Sequence, residues 1–214
     1  MKGMYVLEGA MRTILSIGIA TYFAPDDSLE EKVSEEMLQA QKRICLQAYK
    51  FASSAIKNAL VEWLNSGRQL QILLDLKETE KSQRAWDRFQ KSKSWKRFQK
   101  SQEEKDIWPN ALQASLIQEL KTAGADIRCV PKEYIEKSHN KITIIDEKTV
   151  LTGSFNYKSH SSKSQRKGKQ VDTSKSQSKK RQTDNLVILE HAVVAKNYQE
   201  MFNSYFDNSP AGYP

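Results

Sequence analysis

Short apolar runs separated by polar turns give the chain alternating strand and helix segments. Ile14–Phe23 is an apolar run closed by Pro25-Asp26-Asp27, which predicts a buried strand. Asp27 or Ser28 stands where a helix over roughly 29–42 would be capped, with Leu29, Val33, Met37, Leu38 and Ile44 on its apolar side. Arg43–Phe51 is strand-like. Ser53–Asn65 carries Ile56, Leu60 and Leu64 at helical spacing, with Gly67 just beyond, and Leu70–Leu76 is short enough to be a strand. Ala111–Thr122 reads as an amphipathic helix ended by Gly124, followed by a strand at Ala125–Val130. Two strands near 141–145 and 149–154 are joined by a turn at Asp146-Glu147-Lys148. Asn185–Leu189 is a further strand, and Val193–Phe206 a closing helix. Such alternation predicts an α/β fold, a mixed β-sheet flanked by helices on both faces.

Two stretches do not fit this alternation. Residues 157–182 hold nine Lys or Arg, seven Ser and one acidic residue, Asp172. A segment so poor in apolar side chains cannot offset its ordering entropy, and it is expected to be a disordered loop. Residues 78–108 hold nine basic and six acidic residues and are expected to be a polar helical insert. The two inserts carry +8 and +3, the remaining 157 residues carry −3, and the chain's net charge of +8 therefore originates in the inserts. The second insert repeats itself: Trp86-Asp-Arg-Phe89-Gln-Lys-Ser, then Trp95-Lys-Arg-Phe98-Gln-Lys-Ser. On one continuous helix a nine-residue step turns by about 180°, so the two Trp/Phe pairs would face opposite sides unless the helix breaks between them. The pairs are read as amphipathic turns packed on the body, as a lid that stacks on substrate, or as an oligomer contact.

The 214 residues suit one domain. No apolar run approaches the roughly 20 residues that span a bilayer. Cys45 and Cys129 exclude a disulfide scaffold and a cysteine-based zinc cluster. Both are expected to be reduced core residues, with a Cys45–Cys129 bridge as the alternative. Residues 12–20 imitate a signal peptide. Glu8 precedes them, the apolar stretch is short, and cleavage near Ala20 would destroy the first strand. The expected location is cytoplasmic, with a secreted or periplasmic one as the alternative.

The chemistry lies in Ser138-His139-Asn140-Lys141 and in Thr152-Gly153-Ser154-Phe155-Asn156. If 139–145 is extended, His139 and Lys141 share one face, and Asn140, Ile142 and Ile144 point into the apolar layer. Ser154 and Asn156 likewise share a face, and Gly153 leaves room for something to approach the backbone. An imidazole, an ammonium, a hydroxyl and an amide suit a phosphodiester: the imidazole attacks phosphorus, and the others stabilise its equatorial oxygens.

His139, Lys141, Asp146, Gly153 and Ser154 stand in the spacing of the HKD signature, and the chain resembles the phospholipase D superfamily. The continuation through Asn156 is similar to the single-motif branch of Nuc-type endonucleases and the mitochondrial cardiolipin hydrolase, or Zucchini, group. The similarity extends through Ala48–Phe51, Ile56–Leu60, Leu70–Asp75, Ala123–Arg128 and Thr183–Ile188, and omits both inserts. The resemblance implies a phospholipase D-like sandwich with one HKD motif per chain. It implies that His139, Lys141, Ser154, Asn156 and Asp184 are catalytic, and that Asp146 and Gly153 serve the structure of the motif. Asp184 stands where the family usually has Glu, whose carboxylate holds the catalytic His in one tautomer.

Neither His160 nor His191 begins a second H-x-K, and both read as solvated or packing residues. The family mechanism uses two His, so one copy per chain implies a homodimer with a shared active site on the two-fold axis. One His139 would form a phosphohistidine and the other would act as general acid and then base, with no metal or other cofactor. Lys158, Lys163, Arg166, Lys167 and Lys169 are candidate substrate-binding residues. The expected activity is that of a low-specificity endonuclease on DNA or RNA. The alternatives are a phospholipase D-type hydrolase docking on an anionic membrane surface, with cardiolipin or another anionic lipid as substrate, and a non-catalytic binding module.

Overall fold

A computed structural model of the chain describes residues 18–159 and 183–212. The start of the first expected strand, His160, Lys163, Arg166, Lys167 and Lys169 lie outside the described residues. In chain order the elements are β1 (Gly18–Phe23), α1 (Leu29–Gln39), β2 (Arg43–Ala48), β3 (Phe51–Ala52), α2 (Ser54–Leu64), β4 (Gln69–Asp75), α3 (Leu76–Gln90) and α4 (Lys93–Ser101). They continue with a 3-10 turn (Glu104–Asp106), α5 (Leu112–Thr122), β5 (Asp126–Val130), β6 (Lys141–Ile145), β7 (Thr149–Gly153), β8 (Tyr157–Lys158), β9 (Asn185–Glu190) and α6 (Ala192–Phe206).

Seven strands form one mixed sheet in the order β1-β9-β7-β6-β2-β4-β5. β2, β4 and β5 run parallel, which their helical connections make possible, whereas β6, β7, β9 and β1 are joined antiparallel. Leu46, Ile72, Leu74 and Ile127 face one layer, where Val33, Ile56, Leu60 and Ile117 of α1, α2 and α5 cover them. Cys45, Leu73, Ile142, Ile144 and Val150 face the other, beneath Ala195, Phe202 and Phe206 of α6. Burial on both faces is why the central strands read as continuous apolar runs. Among the described residues no helix is long and apolar enough to cross a membrane.

Several expectations are corrected. Among the described residues β1 is an edge strand rather than a buried one: it pairs there only with β9 and leaves Ile19 63% and Phe23 58% exposed. Ser28 occupies the N-cap of α1 without a side-chain capping bond, and the Asp27 carboxylate instead accepts the Phe23 N–H at 2.7 Å. The strand expected over 43–51 breaks at Tyr49–Lys50. Tyr157 and Lys158 belong to the folded body as β8, which pairs with β3. Cys45 and Cys129 are both free and buried. They lie on opposite faces of the sheet, on strands separated by β4, beyond the reach of a disulfide.

The Trp/Phe repeat does not form one continuous helix. α3 ends at Gln90, the Ser92 hydroxyl donates to the Phe89 carbonyl at 2.7 Å, and α4 folds back. Both pairs therefore meet in one aromatic cluster: Trp86–Trp95 at 5.7 Å, Phe89–Phe98 at 6.0 Å and Phe89–Trp108 at 5.5 Å between centroids. Edge-on packing of this kind, over Ile107, Ala111 and Ala114, gives the insert its own small core.

Candidate active site

β6 begins at Lys141 opposite Ala48, the last residue of β2, and β4 ends beside it at Asp75. The carboxyl ends of two parallel strands thus meet the amino end of an antiparallel one. The preceding turn is held from both neighbours. Asp75, buried at the end of β4, accepts the Ser138 N–H at 2.8 Å through Oδ2 and the Glu78 N–H at 2.9 Å through Oδ1. Gln47 of β2 donates to the Ser138 hydroxyl at 3.0 Å and accepts from the Asn140 amide at 3.3 Å. Asn140 is therefore exposed and bonded to Gln47, not directed into the apolar layer. Ile142 and Ile144 do enter it.

His139 projects outward and Lys141 follows on the same side. The Lys141 ammonium donates to the His139 carbonyl at 2.8 Å and lies 3.4 Å from each ring nitrogen. The Tyr49 ring packs on the imidazole at 4.7 Å, and the ammonium groups of Lys137, Lys141 and Lys50 surround it at 4.8, 5.5 and 5.5 Å. Removal from water, then the charges of Lys141 and Lys137, push the His139 pKa below its ordinary value, against a smaller opposing pull from Asp75. Lys141 is lowered too, by burial first; Asp184 opposes that shift and Lys137 adds to it. The lowered pKa favours the neutral imidazole beside a positive charge, the form that can attack an anion's phosphorus.

The second half of the motif is tied to β9. A Cβ on Gly153 would sit 2.2 Å from the Asn185 carbonyl oxygen, so what approaches this glycine is the β9 backbone. The Ser154 N–H donates to Asn185 Oδ1 at 2.9 Å and the Asn185 N–H to Ser154 Oγ at 3.0 Å. Ser154 Oγ donates to Asp184 Oδ1 at 3.0 Å. Asp184 reaches Ser154, whereas among the described residues the polar contacts of the His139 ring run to Lys141. Asn156 is half-buried, and its amide oxygen has no hydrogen-bond partner among the described residues. Tyr157 is buried beneath the site with its hydroxyl 2.9 Å from that of Thr143, and burial pushes its pKa far up. Lys158 is half-buried in β8.

Asp146 lies at the other end of β6. Both Asp146 and Glu147 have positive φ, as the tight β6–β7 hairpin turn requires. Its carboxylate accepts the backbone N–H groups of Gln41, Lys42 and Arg43 at 2.7, 2.8 and 2.9 Å, pinning the hairpin to the start of β2. Burial alone would raise its pKa, but these three donors leave it lowered. His191 caps α6, its Nδ1 accepting the Val194 N–H.

His139, Lys141 and Gly153 line a common cleft of about 300 Å³, closed on its far side by Tyr198, Met201 and Tyr205 of α6. Sequence reading missed Gln47, Tyr49 and Asp75 as site residues. The signal for Asp75 was a carboxylate at the junction of an apolar strand and a helix.

The chain is similar to several known proteins. The chain is 25% identical to a Phospholipase D of Rickettsia typhi over 192 residues, 89% of this chain and 70% of that protein. It is 26% identical to a Phospholipase D of Rickettsia bellii over 180 residues, 84% of this chain and 65% of that protein, so it spans about two thirds of these relatives' length. Nuc from Salmonella typhimurium, a phospholipase D family member, superposes with a TM-score of 0.61 at 16% identity, over 93% of this chain and all of its own. NucT from Helicobacter pylori does so with a TM-score of 0.59 at 12% identity, over 92% of this chain and all of its own. At such identities the two structures establish the fold. Residues 33–206, which include every described site residue, match the family described as Cardiolipin synthase, PLD-like domain. The chain belongs to that PLD-like family, within the phospholipase D superfamily of phosphodiesterases.

Proposed function

We propose that the chain is a metal-independent phosphodiesterase that works through a phosphohistidine on His139, acting as a low-specificity endonuclease on DNA or RNA. The observation that carries this reading is the exposed imidazole of His139, with the Lys141 ammonium 3.4 Å from each of its nitrogens. A neutral imidazole nitrogen attacks phosphorus, the P–O bond to the leaving group breaks, and a second imidazole, present as the imidazolium, gives its proton to that oxygen. Water then attacks phosphorus, gives its proton to the second imidazole, and the P–N bond breaks. Only His139 begins an H-x-K in the sequence, so the second imidazole belongs to the partner's His139 in a homodimer with a shared site. Lys141, Ser154 and Asn156 stabilise the equatorial oxygens, and Asp184 positions Ser154.

Nucleic acid is favoured as substrate by charge. The segment 160–182, with eight Lys or Arg against one Asp, leaves after β8 and returns at Asp184, beside Ser154. Lys158, Lys163, Arg166, Lys167 and Lys169 would collect phosphates there. A lipid substrate, such as cardiolipin, is the second reading, supported by the Rickettsia relatives called Phospholipase D. The test is a parallel assay in excess EDTA, with wild type and His139→Asn each given single-stranded DNA, duplex DNA, RNA and cardiolipin liposomes. Cleavage of nucleic acid by wild type alone is expected. Phosphatidic acid release with intact nucleic acid would establish the lipid reading, and turnover by His139→Asn would refute the nucleophile.

A further inference from the structure

The helical insert carries a second concentration of charge, separate from the cleft. Between Arg88 and Ser101 there are six basic residues, Arg88, Lys91, Lys93, Lys96, Arg97 and Lys100, and no acidic one. All six are exposed, and none forms an ion pair among the described residues. Their neighbours behave differently: Lys81, Arg84 and Lys105 pair with Glu78, Glu80 and Glu103.

Four of the six form a stripe. Lys93, Lys96, Arg97 and Lys100 stand at i, i+3, i+4 and i+7 of α4, and at about 100° per residue they share one face. Trp95 and Phe98 lie on the opposite face, packed into the aromatic cluster. The stripe is unfavourable for the helix itself. Like charges at these spacings repel, and Lys93 and Lys96 also oppose the dipole at the amino end. The packing that holds α4 uses Trp95 and Phe98 on its other face, so the stripe itself has no evident use in folding.

Its placement relative to the cleft is constrained at both ends. α3 starts directly after Asp75, the residue that holds Ser138, and Arg88 lies thirteen residues on, about 20 Å at the helical rise. The excursion returns to the same side. The Ser54 hydroxyl donates to the Glu104 carboxylate, and Gln113 accepts the Phe51 N–H at 3.0 Å beside β8. We infer that the cationic face of α4 is a second binding site for the phosphate backbone of a nucleic-acid substrate, holding the strand outside the cleft that cuts it. The distance of about 20 Å to Arg88, at the near end of the basic run, corresponds to about six nucleotides at the 3.4 Å rise of a duplex strand. The occupant is nucleic acid rather than a lipid surface because Trp95 and Phe98 are engaged with Trp86 and Phe89, leaving charge, not apolar rings, on the outer face.

This inference rests on the nuclease reading, and its test separates the two. The variant Lys93→Gln/Lys96→Gln/Arg97→Gln/Lys100→Gln changes only exposed side chains. It is compared with wild type and with the charge-preserving Lys93→Arg/Lys96→Arg/Lys100→Arg. Binding of a labelled duplex long enough to reach α4 is measured across a salt series, with cleavage of that duplex and of a dinucleotide-sized substrate. The neutral variant is expected to bind the long duplex about tenfold or more weakly, with the slope of log K against log salt shallower by about 2–3. It should turn over the dinucleotide-sized substrate like wild type, and the arginine variant should retain binding. Unchanged long-duplex binding and slope, with wild type cleaving DNA, would overturn the inference alone. Failure of wild type to bind or cleave any nucleic acid would overturn both readings. Loss of binding to anionic phosphatidylglycerol vesicles with DNA binding intact would overturn it in favour of a membrane contact.

Discussion

Asp75 grips the Ser138 N–H at 2.8 Å with one carboxylate oxygen while the other caps α3 at Glu78 N. A single buried side chain thereby sets where the residue before His139 stands and where the helical insert begins. Asp75→Asn keeps a good capping group but weakens this grip and removes a charge. The variant is expected to fold and to lose about 10–100-fold in kcat by misplacing His139. Asp75 favours the protonated imidazole, so its loss should also move the acid limb of the pH–rate profile to lower pH. A pH series on bis(p-nitrophenyl) phosphate checks both; an unmoved limb would reduce Asp75 to a structural cap.

Lys137 should act in the opposite sense. Its ammonium disfavours the imidazolium of His139. In Lys137→Gln the ring takes up its proton at higher pH, so the neutral nucleophile appears later as pH rises. The acid limb is expected to shift upward, with the plateau rate nearly unchanged. Opposite displacements in the Asp75 and Lys137 variants, read on one substrate, would tie that limb to His139.

Asp146 is expected to serve stability rather than turnover. Asp146→Ala removes the acceptor of three N–H groups and should cost about 1–3 kcal/mol in urea unfolding. The folded pKa is lowered, so the charge contributes stability above the unfolded carboxylate pKa. That contribution is lost as pH falls through the lower folded value. Asp146→Asn should therefore flatten the acid decline of stability below about pH 4. A decline as steep as wild type would assign it to other carboxylates.

Gly153→Ala places a methyl group 2.2 Å from the Asn185 carbonyl oxygen, a backbone atom that cannot swing aside. β9 must move away from β7, at about 3 kcal/mol by comparison with overpacked cores. Ser154, bonded to Asp184 and Asn185, moves with it. The variant should lose both melting temperature and kcat. Wild-type values for either would mean that the two strands have more play than their spacing suggests.

The sequence made the β6–β7 hairpin and its motif legible because the interactions that define them are local. The Asp146-Glu147-Lys148 turn, the shared side of His139 and Lys141, and the apolar Ile142 and Ile144 all follow from period-two alternation. What escaped lies across the sheet. Asp75 meets Ser138 over 63 residues and Gln47 meets it over 91, and neither partner carries a local mark. Tyr49 sits in a run whose pattern is that of a strand; the break after Ala48 frees its ring to pack on His139. For the same reason β1 looked buried: alternation shows which residues share a face but not whether a strand lies at the sheet's edge. The aromatic repeat left two arrangements open, and the break after Gln90 decided between them.

The bonds joining Ser154 to Asp184 and Asn185 have one more consequence. They hold the end of β7 to the start of β9 across 30 and 31 residues of sequence, and the Ala24 N–H adds a tie to the Asp184 carbonyl at 2.9 Å. Three stretches distant along the chain are thus clamped at one point, so a change in any of them is transmitted to the Ser154 side of the motif rather than absorbed locally.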